Sequence, residues 1–194
     1  MGREFELKYL AAEDQLAALE AAFSGFAPIS METTYYDTPS RALSARRYML
    51  RRRLENGVSV CTMKTSGKGN LRGEWEVTSD SVTEAASELC KLGCPAELES
   101  LSAEGLVPVC GARFTRQAGT FTLRQCTLEL ALDEGILFAG NRQLPLCEME
   151  VELKSGSREA VDAFARQLAD IYGLQPEQQS KFARALALYH ADTP

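Results

Sequence analysis

The chain contains 194 residues, of which 45% are hydrophobic and 25% are charged, and its net charge at pH 7 is −6. These values are those of an ordinary globular protein and argue against a disordered, collagen-like or membrane-spanning chain. The acidic balance argues against nucleic acid as a partner, and charged residues near the start argue against a secretory signal. We therefore expect a single cytoplasmic domain over residues 1–194, with no membrane or nucleic-acid partner, as a monomer or a homodimer.

The first part of the chain is predicted to fold into strands, with one longer and one short helix between them. Residues 3–10 alternate charged and apolar side chains, which is the two-residue period of a strand. Residues 13–23 have the apolar spacing of a helix that ends at Gly25. Further strands are predicted over residues 29–36, 48–54, 58–65 and 71–78, with a short helix that begins at Thr38 and Pro39 and ends at Ala45. Asn56 and Gly57 predict a tight turn between two of these strands.

The second part of the chain begins with helices and continues with strands. The run from Ser81 to Glu84 is a capping box that opens a helix ending at Gly93, and a shorter helix is predicted over residues 95–104. Strands are predicted over residues 107–115, 120–125, 127–133 and 144–154, separated at Ala118-Gly119, Glu134-Gly135 and Gly140-Asn141. Two amphipathic helices follow Ser157. Because most strands are joined by short turns, we expect a largely antiparallel sheet with helices packed outside it, an α+β fold.

Charged side chains occupy alternate positions on several of the predicted strands. On the last strand, Glu148, Glu150, Glu152 and Lys154 alternate with apolar residues, so they share one face. A single strand of this kind could simply face water. The pattern recurs, however, at Glu4, Glu6, Lys8, Arg51, Arg53, Lys64, Arg72, Glu74, Glu76, Glu129 and Asp133. If helices cover the apolar faces, the charged faces line the inside of a closed antiparallel barrel.

The two kinds of charge on these faces suit different parts of a phosphate-containing ligand. Carboxylates on the first and last strands suit a hard cation such as Mg²⁺ or Mn²⁺, which shares its oxygen ligands with substrate phosphates. Arginine and lysine side chains on the other strands suit the phosphate oxygens themselves. The pattern therefore indicates a metal-dependent enzyme that holds a triphosphate, with hydrolysis as the simplest reaction.

Several ordered motifs resemble one known family. Glu4-Phe5-Glu6-Leu7-Lys8 matches the ExExK signature of the CYTH domain, the triphosphate tunnel metalloenzymes. Further matches lie at residues 35–39, 50–53, 63–65, 72–76, 129–133, 148–154 and 180–182. This superfamily includes inorganic triphosphatases, thiamine triphosphatases and class IV adenylate cyclases.

The resemblance implies an eight-stranded antiparallel tunnel and assigns roles to individual residues. It places Mg²⁺ or Mn²⁺ on Glu4, Glu6, Glu150 and Glu152, and these four with Lys8 form the predicted catalytic set. The predicted phosphate contacts are Lys8, Arg51, Arg53, Lys64, Arg72, Arg113, Arg116, Lys154 and Lys181. Family spacing favours Arg116 over Arg113, whereas alternation from Phe114 favours Arg113, so both stay candidates. The other acids expected in the tunnel are Glu74, Glu76, Glu129, Asp133 and Glu148.

Three functions are compatible with such a tunnel. The bacterial members that the chain resembles most hydrolyse tripolyphosphate to pyrophosphate and phosphate, and this is the favoured prediction. Thiamine triphosphate and nucleoside triphosphates present the same phosphates and stay open as substrates. A class IV adenylate cyclase that makes cyclic AMP from ATP, or a non-catalytic module that binds polyphosphate or nucleotides, would use the same basic side chains.

Overall fold

The structure is a computed structural model, and it describes residues 5–66 and 72–190. The strands are β1 (Glu6–Leu10), β2 (Ala27–Asp37), β3 (Tyr48–Glu55), β4 (Val58–Ser66), β5 (Arg72–Thr78), β6 (Val107–Thr122), β7 (Cys126–Ala139), β8 (Arg142–Gly156) and β9 (Gln175–Pro176). The helices are α1 (Glu13–Ala22), α2 (Ala42–Ala45), α3 (Val82–Lys91), α4 (Glu97–Ser102), α5 (Arg158–Tyr172) and α6 (Lys181–His190). No helix within these ranges combines the length and the hydropathy needed to cross a bilayer.

The described strands form one antiparallel sheet that is open, so the predicted closed eight-stranded barrel is wrong. The nine strands lie in the order β5-β4-β3-β2-β6-β7-β8-β1-β9, and within the described ranges no strand pairing joins β5 to the opposite edge. At that edge, β1 pairs with β8 on one side and with only Gln175 and Pro176 of β9 on the other. A proline has no N–H to continue a ladder, so β9 ends the sheet there and does not extend it towards β5.

Local signals in the sequence set several of the observed turns and helix ends. Asn56 and Gly57, which join β3 to β4, have φ angles of 48° and 85°. Two positive φ angles in a two-residue turn match the right-handed twist of the flanking strands, so the hairpin prediction is confirmed. Ser81 caps α3, because its hydroxyl accepts a hydrogen bond from the Glu84 N–H at 3.2 Å.

Two strands are longer than predicted, because a glycine that was taken as a break lies inside a strand. β6 and β7 run through Ala118-Gly119 and Glu134-Gly135 without interruption. A Cβ atom at Gly135 would lie 2.2 Å from the carbonyl oxygen of Arg113 on β6. Glycine therefore permits close approach of the two strands at this point.

The apolar residues form three clusters, and only two of them lie beneath helices on the uncharged face of the sheet. Helices α1 and α5 cover Leu128, Leu130, Met149 and Val151 of β7 and β8, while α3 and α4 cover a second cluster on β3 to β5. These packings agree with the predicted outer helices.

Helix α6 packs on the other face, which is the face that carries the charges. Its fully buried Ala185 belongs to a cluster with Leu137 and Ala139 of β7 and Leu146 of β8. Leu146 lies two positions before Glu148, so both side chains point to the same side of β8. One strand face is therefore charged along part of its length and apolar where α6 covers it.

Candidate functional site

Charged side chains from β1 and from each of β3 to β8 line one cavity of about 2340 Å³, to which β2 contributes uncharged side chains. The charged lining residues that the sequence predicted are Glu6, Lys8, Arg51, Arg53, Lys64, Glu74, Glu76, Arg116, Glu129, Glu150, Glu152, Lys154 and Lys181. The strands thus curve around a common space although the sheet stays open. Lys181 reaches this space from the first residue of α6.

Three carboxylates lie side by side on neighbouring strands at one wall of the cavity. Glu152 on β8 is the direct cross-strand partner of Glu6 on β1 and of Glu129 on β7. We call these three residues the acidic row. Their side chains are 30%, 21% and 27% exposed for Glu6, Glu152 and Glu129, so the row faces the cavity and is not sealed beneath it.

Lysine side chains accompany the acidic row. The Lys154 ammonium lies 2.8 Å from Glu152 and 3.4 Å from Glu129, and the Lys8 ammonium lies 3.4 Å from Glu6. Burial lowers the pKa of Lys154, but its contacts with Glu152 and Glu129 outweigh burial and raise the pKa overall. Lys154 is therefore a cation at neutral pH, held where the carboxylates are densest.

A second group of charges forms a buried network at the base of the cavity. The buried network consists of Asp133, Glu148, Glu150, Arg116, Lys181 and Arg184. Arg116 donates to both oxygens of Asp133 at 2.7 Å and also to Glu150. The Lys181 ammonium lies 2.7 Å from Asp133 and 2.7 Å from Glu150, and it also contacts Glu148. Arg184 binds the other oxygen of Glu148 at 2.7 Å.

Pairing stabilises the charged forms of Glu150 and Lys181 in the buried network. Burial by itself raises the pKa of Glu150, but Lys181 and Arg116 outweigh burial and hold it below the usual range of a carboxyl group. Burial likewise lowers the pKa of Lys181, whereas Glu150, Asp133 and Glu148 raise it to a value above that of a free lysine. Opposite charges within hydrogen-bond distance thus override desolvation at Glu150 and Lys181, whereas at Glu148 burial outweighs the neighbouring Lys181 and Arg184 and raises the pKa.

The wall opposite the carboxylates carries cations that are less completely paired. The Arg51 guanidinium lies 3.8 Å from Glu76 and 4.0 Å from Glu74, which is longer than a hydrogen bond. The Nε atoms of Arg51 and Arg53 are buried without a hydrogen-bond partner among the described residues. Burial, then the neighbouring Arg51, lowers the pKa of Arg53. The Arg51 and Arg53 guanidinium groups can bind an anion, because its oxygens would accept hydrogen bonds from the unpaired Nε–H groups.

Lys64 adds a further cation to the wall that carries Arg51 and Arg53, and it pairs with Glu74. The Lys64 ammonium lies 2.8 Å from Glu74, and both residues line the cavity. Thr62, two residues before Lys64 and so on the same face of β4, is fully buried and donates a hydrogen bond to Glu76 at 2.8 Å. The carboxylates of β5 are thus held by neighbours on β3 and β4.

The structure separates the two arginine candidates on β6. Arg116 lines the cavity with a side chain that is 15% exposed, whereas the side chain of Arg113 is 60% exposed. Arg113 lies 3.8 Å from Glu32 and its guanidinium stacks 4.8 Å from the ring centre of Phe138. Residues three apart on a strand point to opposite faces. Of the two candidates, Arg116 therefore reaches the cavity and Arg113 does not.

Four other predicted site residues are not among the described side chains that line the cavity. Asp133 and Glu148 are fully buried and contact Lys181, which lines the cavity, as members of the buried network. Glu4 lies outside the described residues, as does the side chain of Arg72, whose backbone begins β5.

Two residues at the site, Arg184 and Tyr35, were not predicted from the sequence. Arg184 follows Lys181 by three residues, so both lie on one face of α6, and this spacing could have identified it. Tyr35 is 3% exposed, with burial as the main cause of a raised pKa and Arg51 as its hydrogen-bonding neighbour. Its ring packs 4.8 Å from that of Phe182. Alternation with Thr33 places Tyr35 on the cavity face.

Two sets of carboxylates have the donor chemistry of a site for a hard divalent cation. Oxygens of Asp133, Glu148 and Glu150 lie within 4.8 Å of one another, but they already surround the Lys181 ammonium. The acidic row opens to the cavity, and flexible lysine side chains pair with its carboxylates. Mg²⁺ and Mn²⁺ prefer carboxylates that leave room for water and phosphate ligands. The acidic row together with Glu150 therefore fits a divalent cation of this kind.

Comparison with known proteins identifies the family. The CYTH domain family model matches residues 2–186. An inorganic triphosphatase of Haemophilus influenzae is 31% identical over 144 residues, which are 72% of this chain and 41% of that protein, so the chain spans less than half the length of this relative. A Hippeastrum protein studied as an adenylyl cyclase, with a dominant triphosphatase activity, has a similar fold, with a TM-score of 0.69 at 19% identity over 95% of each chain. A Pyrococcus horikoshii OT3 protein gives a TM-score of 0.61 at 24% identity over 95% of this chain and 98% of that one. The chain belongs to the CYTH domain family.

Proposed function

We propose that this protein is a triphosphatase that depends on a divalent cation and converts inorganic tripolyphosphate to pyrophosphate and phosphate. The observation that carries this proposal is the arrangement of one cavity between a row of carboxylates and a set of incompletely paired cations. The inorganic triphosphatase activity of the Haemophilus influenzae relative supports the choice of substrate.

The basic side chains would bind the phosphate groups. Arg51 and Arg53 reach the cavity from β3, Lys64 from β4 and Arg116 from β6, while Lys181 reaches it from α6. Guanidinium groups bind phosphate oxygens through paired hydrogen bonds, and lysines add mobile point charges. Several cations spread along one cavity can therefore contact successive phosphates of a linear chain.

The carboxylates would hold the divalent cation. We assign this role to Glu6, Glu150 and Glu152, and the ExExK motif adds Glu4. When bound, the cation neutralises phosphate charge and favours ionisation of a water molecule near the terminal phosphorus. Lys8 lies between these glutamates as the cross-strand partner of Glu150, where its ammonium can bind the same phosphate oxygens.

The cations of the protein would also lower the barrier to P–O bond cleavage. Phosphoryl transfer places negative charge on the equatorial oxygens and on the leaving group, and fixed cations stabilise that charge. Arg116 is suited to this role, because its contacts with Asp133 and Glu150 fix its orientation before the substrate arrives. The proposed reaction thus depends mainly on positioning and electrostatic stabilisation.

A substrate panel tests this proposal. Tripolyphosphate, thiamine triphosphate and ATP are each supplied with Mg²⁺ or Mn²⁺, and released phosphate and cyclic AMP are measured. We expect phosphate release mainly from tripolyphosphate, with a loss on the order of 100-fold in Glu152→Gln and in Arg51→Met. Arg113→Met is the matched control, and it should keep full activity because Arg113 lies outside the cavity.

Other outcomes would favour a different function. Full activity in Glu152→Gln would contradict the cation assignment. Cyclic AMP as the main product from ATP would identify a cyclase, and tight tripolyphosphate binding without turnover in either metal would identify a binding module. Release of phosphate from thiamine triphosphate alone would change the substrate and keep the reaction.

A further inference from the structure

We propose that Lys181 is an internal counter-ion that competes with the divalent cation for Glu150, so that cation binding and phosphate binding are coupled through an exchange of partners at Lys181. The inference rests on the proposed function, because Glu150 is assigned there to the cation and Lys181 to the phosphate. It makes Lys181 a positioning residue for the carboxylates as well as a phosphate ligand.

The first argument is that the three buried carboxylates are already saturated with cations. Asp133 accepts from Arg116 at both oxygens and from Lys181 at one of them. Glu150 pairs with Lys181 at one oxygen and Arg116 at the other. Glu148 is divided in the same way between Lys181 and Arg184. Each carboxylate oxygen thus has a cationic partner, and three negative charges face three positive charges.

A divalent cation therefore cannot share Glu150 without a change in these contacts. Its approach would place two more positive charges beside carboxylates whose charge Lys181, Arg116 and Arg184 already balance. Water screens charges poorly in this buried region. The alternative is that one resident cation leaves. A buried carboxylate that loses its cationic partner destabilises the protein only while its charge stays uncompensated. A divalent cation that takes the place of the departing side chain compensates that charge.

Lys181 is the resident cation that can leave with the least disturbance. Arg116 holds Asp133 through two parallel hydrogen bonds, and Arg184, whose side chain is 9% exposed, contacts both Glu148 and Glu177. Lys181 carries a single ammonium on a flexible chain, lies at the start of α6 and lines the cavity. A rotation of its side chain can move the ammonium from the carboxylates towards a phosphate in the same cavity.

The consequence is linkage between the two ligands. A phosphate that attracts Lys181 frees Glu150 for the divalent cation, and a cation on Glu150 releases Lys181 for the phosphate. Each ligand must then increase affinity for the other by the same factor. Without either ligand, the Lys181 ammonium stays on the buried carboxylates and compensates their negative charge.

The test measures Mn²⁺ affinity in the absence of any phosphate compound, by electron paramagnetic resonance of free Mn²⁺. Three forms of the full chain are compared: wild type, Lys181→Met and Lys64→Met. We expect Lys181→Met to bind Mn²⁺ about 10-fold more tightly than wild type, within the usual range of coupling between sites. Lys64→Met removes the same charge from the opposite wall and should change the affinity by less than about 3-fold, because the Lys64 ammonium pairs with Glu74 on β5.

Two results would overturn the inference. Unchanged or weaker Mn²⁺ binding in Lys181→Met would show that Lys181 does not compete with the cation. An equal gain in Lys64→Met would show a general effect of cavity charge. If Lys181→Met does not fold, the ammonium NMR signals of the wild type decide the question, because Mg²⁺ should shift the Lys181 signal and leave the Lys64 signal in place. An unshifted Lys181 signal would overturn the inference.

The outcomes also separate this inference from the proposed function. Wild-type Mn²⁺ binding without a gain in Lys181→Met overturns the competition and leaves the triphosphatase intact. The expected Mn²⁺ affinities without phosphate release from any triphosphate overturn the triphosphatase and leave the competition intact. No Mn²⁺ binding to any of the three proteins overturns both.

Discussion

The two arginines of β6 that the sequence left as alternatives provide a matched test of the structure. Arg116→Met and Arg113→Met each remove one positive charge from the same strand and keep most of the side-chain volume. The structure predicts very different costs. The side chain of Arg116 is 15% exposed and that of its partner Asp133 is 0% exposed, whereas the side chains of Arg113 and its partner Glu32 are 60% and 51% exposed.

The expected magnitudes follow from these exposures. Removal of one partner from a buried ion pair costs about 3–5 kcal/mol, because the remaining charge stays buried without compensation. Lys181 still contacts Asp133 in Arg116→Met, so we expect the lower part of this range. Arg113→Met loses an exposed pair worth about 0–1 kcal/mol and a contact with Phe138 worth about 0.5–1 kcal/mol. The two variants should therefore differ by at least about 1 kcal/mol.

Urea unfolding measures these costs, with the fluorescence of Trp75, the single tryptophan of the chain, as the signal. Trp75 packs against the cluster beneath α3 and α4, so its environment changes when the sheet unfolds. An unchanged m-value would show that the same surface is exposed in each variant. Equal losses of stability in the two variants, or a loss below about 1 kcal/mol in Arg116→Met, would refute the assignment of Arg116 to the buried network.

Three further predictions concern the core, the thiols and the acid limb of stability. Leu19→Ala should lower the free energy of unfolding by about 2–5 kcal/mol because Leu19 is fully buried, whereas Leu92→Ala, at a position 57% exposed, should change it by less than about 0.5 kcal/mol in the same urea assay. Burial raises the pKa of Cys61 to about 11 and that of Cys110 to about 12, so neither should react with a disulfide reagent at pH 8 until urea unfolds the chain, and rapid labelling in native buffer would contradict this. Burial raises the pKa of Glu150, but its cationic neighbours outweigh burial and hold the folded-state pKa below the unfolded value of 4.5. The stability that ionised Glu150 contributes is therefore complete above pH 4.5 and is lost as the pH falls through the lower folded-state pKa. Glu150→Gln should make the free energy of unfolding fall less steeply below pH 4.5, and a slope equal to that of the wild type would count against this prediction.

The sequence located most of the charged side chains that line the cavity, because side-chain direction on a strand is a local property. Alternation alone placed Glu6 and Lys8 on one face of β1, and Glu150 and Glu152 on one face of β8, and all four line the cavity. The Asn56-Gly57 turn was predictable for a similar reason, since a two-residue turn depends on the φ angles of its own residues.

Closure of the sheet was beyond the reach of the sequence pattern. Whether β5 meets the opposite edge depends on the accumulated curvature of all the strands between them and on what pairs with the free edge of β1. That edge is taken by Gln175 and Pro176, which are more than 160 residues away in the chain. A short segment with a proline has no strand signal of its own, so the closed barrel was predicted and an open sheet is found.

Sequence by itself thus determined which residues share a face of a strand and where the hairpin of β3 and β4 turns, because each of these depends on residues close together in the chain. Tertiary structure alone decided that Arg116 and not Arg113 enters the cavity, that α6 covers part of the charged face, and that Lys181 lies among Asp133, Glu148 and Glu150. The physical reason is that pairing between charges depends on distance and burial, and both are set by the packing of α6 against strands that end well before it in the chain.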